Sequence, residues 1–66
     1  MRGRVESPAR AGCVELASDR GRYALLGELV AGLAAGDEVI VTGFAAPQVH
    51  TLCEGSPLRV TEVRRP

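Results

Sequence analysis

Gly27-Glu28-Leu29-Val30-Ala31-Gly32-Leu33-Ala34-Ala35-Gly36-Asp37-Glu38-Val39-Ile40-Val41-Thr42-Gly43 is the stretch whose reading decides the fold. Gly27 is a permissive helix N-cap. Glu28 in the first turn complements the helix dipole. Leu29, Val30 and Leu33 fall at i, i+1 and i+4, which makes one apolar stripe. Gly36 stands where a left-handed residue closes a helix. The spacing predicts a two-turn helix, too short to stand alone in water. It has to pack as a plug at the end of a sheet. A strand over Asp37–Thr42 follows, with Val39 and Val41 on one face, Ile40 and Thr42 on the other, and Gly43 closing it.

Working outward toward the N-terminus, Arg22 to Leu26 alternates Tyr23 and Leu25 against Ala24 and Leu26. Cys13 to Ala17 alternates Cys13, Glu15 and Ala17 against Val14 and Leu16. Ser18-Asp19-Arg20-Gly21 between them is a turn, so the two segments form a hairpin. Met1 to Glu6, with Gly3 and Val5 between Arg2, Arg4 and Glu6, reads as a first strand with one solvated face. Ser7–Gly12 is a loop marked by Pro8 and Gly12. On the C-terminal side, Phe44–Pro57 reads as a long loop carrying Pro47, Gly55 and Pro57. Leu58–Val63 is a last strand, and Arg64 to Pro66 is a tail.

Sixty-six residues make a single domain, residues 1–66, close to the lower size limit for unaided folding. The apolar fraction, 45%, suits a globular chain. It is built from Val, Leu and Ala, with one Phe, one Tyr and no Trp, so the core is thin. A crosslink, a metal or a partner chain would matter to its stability. Eight basic and eight acidic residues cancel, and every basic residue is Arg. That balance argues against a dedicated nucleic-acid binder. A protein or small-molecule partner is expected ahead of nucleic acid, with a homo-oligomer if the core needs a second chain. No run of apolar residues is long enough to span a membrane. No apolar segment follows Arg2 and Arg4, so no signal peptide is expected and a cytoplasmic setting follows. A disulfide in a trimmed chain would instead imply an extracytoplasmic one.

The order is strand, strand, strand, helix, strand, strand. The expected class is all-β: a small five-stranded Greek-key barrel with one short helix between strands three and four. The rivals are an open α+β meander and an SH3-like barrel; the helix weighs against the second. Four pieces carry a resemblance: Gly12-Cys13-Val14-Glu15-Leu16, Tyr23-Ala24-Leu25-Leu26-Gly27, Leu33 to Gly43, and Thr51-Leu52-Cys53-Glu54-Gly55-Ser56-Pro57-Leu58-Arg59-Val60. Together they resemble a group of small bacterial OB-like domains of unknown function that carry two cysteines. The resemblance spans nearly the whole chain and implies the OB-like barrel, with one cysteine opening the second strand and one in the loop before the last. It implies no activity.

In an OB-like barrel the first-second and fourth-fifth loops share a rim. That brings Cys13 and Cys53 into one neighbourhood and makes them disulfide candidates. Two buried free thiols, the reading a reducing compartment favours, is the alternative. A metal site would need His50, Cys53 and Cys13, with Glu54 to complete it. A structural zinc wants four ligands, so no metal and no cofactor is expected. No nucleophile–base arrangement stands out around the lone His50, and Asp37-Glu38 reads as solvated charge. The expectation is a non-enzymatic binding or accessory module. Its ligand rim is Ser7–Gly12 with Phe44–Ser56, and its candidate residues are Arg10, Phe44, Gln48, His50 and Thr51. The alternatives are a single-stranded nucleic-acid binder, with Tyr23 and Phe44 as the only aromatics to stack on, and a structural or oligomer-forming domain.

Overall fold

The computed structural model describes residues 1–6, 13–49 and 53–66. Five strands close a barrel: β1 (Arg2–Glu6), β2 (Glu15–Ser18), β3 (Gly21–Leu26), β4 (Glu38–Ala45) and β5 (Ser56–Arg64), in the order β1-β2-β3-β5-β4. All neighbours are antiparallel except β3 and β5, and β4 returns to pair with β1 through Arg2↔Ile40 to Arg4↔Glu38. The protein is all-β, as the alternation of its sequence predicts.

Alternation decides which side chains fill the interior. Val5, Leu16, Leu25, Val39, Val41, Leu58 and Val60 point inward and, with Val30, form the buried cluster. Leu16, Val39 and Val41 are its most enclosed large side chains. Near the middle of β5 the pairing slips: Thr42 opposes Glu62 but Gly43 opposes Val60, which leaves Thr61 as an extra residue. The Thr61 hydroxyl donates to the Thr42 carbonyl at 3.1 Å. This bulge resets the alternation, so Leu58 and Val60 face the core on one side of it and Val63 packs against the core on the other.

Three expectations are corrected. The two-turn helix is a single 3₁₀ turn, Glu28–Val30. Only Val30 is buried, while Leu29 is 52% exposed; the barrel end takes one plug residue, not a stripe. Strand β4 does not stop at Gly43 but runs through Phe44 to Ala45. Strand β5 begins at Ser56 and includes Pro57, whose carbonyl accepts the Ala46 N–H.

Gly43 is therefore not a terminator. A Cβ built there would meet the Arg59 carbonyl oxygen and the Val60 Cα on the facing strand. Replacing Gly43 with Ala forces these backbones apart and is expected to cost about 1–3 kcal/mol. Urea unfolding measures it; an unchanged midpoint would contradict the close approach.

Asp37 fastens the chain entering β4. Its carboxylate accepts the Ala34 N–H at 3.0 Å and lies 3.4 Å from Arg65. The bond from Ala34 is the main cause of a carboxyl held below its usual value, with partial burial opposing and Arg65 assisting. A folded-state value below the unfolded one stabilises the fold above the unfolded value, and that stability is lost as pH falls through the folded one. Asp37→Asn should melt lower than the parent at neutral pH and converge with it in acid. Parallel melting curves from pH 7 to pH 2 would refute the role.

Candidate functional site

The described end of the β4–β5 connection, Cys53–Gly55, lies against the outside of β2 and β3. Beyond β4, Ala46-Pro47-Gln48-Val49 makes a turn closed by the Val49 N–H on the Ala46 carbonyl at 3.0 Å. Proline at the second position suits that geometry. Ala46 is buried and Gln48 is exposed at the tip. At the far end of the connection, Cys53 forms a disulfide with Cys13, with Cα atoms 5.5 Å apart across 40 residues of sequence. Cys13 lies just before β2, where the Leu25 N–H still bonds the Val14 carbonyl and continues the hairpin ladder.

Next to the disulfide, the Glu54 N–H donates to Glu15 Oε2 at 3.1 Å. Glu15 points outward from β2, yet its side chain is only 4% exposed. A buried carboxylate is costly unless bonded. Here one oxygen takes the Glu54 amide, and Arg22 Nη1 stands 4.0 Å from the other. The same Arg22 nitrogen bonds Glu54 Oε2 at 3.2 Å, so the arginine spans both acids. Gly55 turns with φ of 95°, and a Cβ there would sit 2.8 Å from the Arg22 carbonyl oxygen. Only glycine lets the connection lie this close to β3.

This latch joins Cys13, Glu15, Arg22, Cys53 and Glu54. Of the residues singled out from the sequence, the two cysteines meet and Gln48 lies on the connection. Arg10, His50 and Thr51 fall outside the described residues. Phe44 is corrected: it is in β4 opposite Arg59, not in the loop, and its side chain is 55% exposed on the barrel exterior. Tyr23 is partly buried against the core, which removes it as a stacking surface. With both sulfurs in one bond, the thiolates that a His50–Cys53–Cys13 metal site requires are absent. Among the described residues, no three metal-ligating side chains gather. Sequence reasoning sets Arg22 on a basic face that Glu15 interrupts, but it does not join either of them to the two cysteines. The available signal was parity: Glu15 shares a strand face with Cys13, and whatever Cys53 brings to that face covers both.

No helix among the described residues is long and apolar enough to cross a membrane. Comparison with protein-family models, curated proteins and solved structures found no match.

Closing a loop of this length restricts the unfolded chain, an effect of about 4 kcal/mol in the chain-entropy picture. The Cys13→Ala/Cys53→Ala variant should therefore unfold at a markedly lower urea concentration. Its Glu54 amide should exchange hydrogen sooner than the Leu25 amide. Equal midpoints in parent and variant would show that the crosslink contributes nothing.

Proposed function

We propose that the protein is a small, non-enzymatic OB-like binding module whose ligand rim is the β4–β5 connection together with the β1–β2 loop. The order of the strands supports the family reading. Strand β4 lies beside β1 after a β1-β2-β3 meander, the arrangement of a Greek key, with β5 inserted between β3 and β4. The two cysteines and their positions favour the small two-cysteine bacterial group.

One observation carries the binding reading. The end of the connection at Cys53 and Glu54 is held against β2–β3 by a covalent bond and by a hydrogen bond from the Glu54 amide to a buried carboxylate. A surface loop fastened this way is preorganised, and less conformational freedom remains to be lost when a ligand binds. The latch is suited to holding a shape rather than to proton transfer, because Glu15 is enclosed and already bonded. A protein or small-molecule ligand is favoured over single-stranded nucleic acid. Arg22 is engaged by two acids, and Arg2 and Arg4 both face Glu38. Sequence-tolerant strand binding needs free cations along a groove and several stacking rings.

Two measurements test this. A fragment library screened against the oxidised, ¹⁵N-labelled protein should give shifts clustered at Cys13–Glu15, Ala46–Val49 and Cys53–Gly55, and these should vanish on reduction. Hits that scatter over the barrel, or that survive reduction unchanged, would overturn the reading. Fluorescence anisotropy with a short oligothymidylate at low salt should stay flat. A saturable, salt-sensitive curve would establish the nucleic-acid alternative instead.

A further inference from the structure

Two large apolar side chains, Phe44 at 55% and Leu29 at 52%, are conspicuously exposed among the described residues. Phe44 is on β4, and Leu29 is in the 3₁₀ turn that packs on the neighbouring strand β5. The registers Leu26↔Arg59 and Phe44↔Arg59 set Arg59 between Leu26 on β3 and Phe44 on β4. All three point outward, since Leu25, Leu58 and Val60 fill the interior. Beyond Leu26 the chain turns at Gly27, with φ of 112°, into the 3₁₀ turn that carries Glu28 and Leu29 and packs on β5.

The charges in this region are unpaired. Arg2, Arg4, Arg22, Arg64 and Arg65 each have a carboxylate within 4.0 Å. Among the described residues, Arg20 and Arg59 have none, and Glu28 has no cation within that distance. One patch thus carries a free base beside one exposed apolar side chain and a free acid beside the other.

We propose that this patch is a self-complementary interface that joins two copies of the chain about a two-fold axis. Arg59 of each copy meets the partner's Glu28, and Phe44 packs on the partner's Leu29. A two-fold contact requires that if residue i touches j, then j touches i. A patch holding both an apolar–basic and an apolar–acidic half meets that requirement without a second surface. Phe and Arg are residue types enriched at interface centres. A net charge of zero adds no long-range repulsion between copies. The patch is small, so the association belongs to the weak, reversible class. This proposal does not rest on the ligand rim, which lies on the disulfide side.

Sedimentation velocity over a concentration series tests it. The oxidised protein should move from its chain mass of 6.9 kDa toward twice that value as concentration rises. Glu28→Arg and Arg59→Glu each set like charges face to face and should weaken association by about tenfold or more. The Glu28→Arg/Arg59→Glu double variant swaps both and should recover most of it. Phe44→Ser should weaken association with no charge change. All three positions are exposed, so circular dichroism should report an intact barrel. A protein monomeric up to millimolar concentration would overturn the proposal. So would single variants that associate like the parent, or a double variant no better than the singles.

Discussion

Closure of the barrel depends on β5. It is the longest strand, nine residues, and it pairs parallel with β3 along its first half and antiparallel with β4 along nearly all its length. A single straight alternation could not serve the core throughout. The Thr61 bulge resolves this by resetting which side chains face inward, and its hydroxyl satisfies the Thr42 carbonyl at the slip. Without that reset, Val63 would face water and Glu62 the core. In a chain whose core is Val and Leu, one misplaced carboxylate would be a large fraction of total stability.

The strands were legible wherever alternation was the only force acting. Val39 and Val41, Tyr23 and Leu25, and Val5 all face the side their spacing assigns. Errors arose at glycine and proline, because either residue can mean two things. Gly43 reads as a stop, yet it is a glycine because the Arg59 carbonyl occupies the space of a side chain. Pro57 reads as loop, yet at the start of a strand its missing N–H costs nothing while its carbonyl still serves Ala46. The apolar stripe Leu29–Val30–Leu33 predicts two helical turns. Helix propensity over so few residues is weak, and the narrow barrel end accepts Val30 with partial cover from Leu33, which leaves Leu29 outside.

The latch was half legible. Cys13 and Cys53 could be brought together by topology alone, since both flank the same rim. Glu15 could not be ranked above any other acid on an alternating strand. Its burial depends on the Glu54 amide, which arrives from 39 residues away, and on Gly55, whose lack of a side chain sets how close the connection lies. Alternation puts Glu15 on the face of Cys13, but it does not say how closely the distant segment comes down on that face. Arg22 is half legible in the same way: the hairpin sets it near Glu15, but Glu54 arrives from 32 residues away.

The exterior of β3 and β5 divides along the same line. Ala24 lies opposite both Glu15 and Pro57 and is fully buried despite pointing outward. A small side chain there lets the connection come down onto the sheet. One row further along, the outward positions are Leu26, Arg59 and Phe44. The chain thus covers the row of Glu15 and Ala24, while in the next row Leu26 is half-buried and Arg59 and Phe44 are exposed. What seals the first row is the connection itself, crosslinked at Cys53 and bonded through the Glu54 amide to Glu15, rather than the size or polarity of the side chains beneath it.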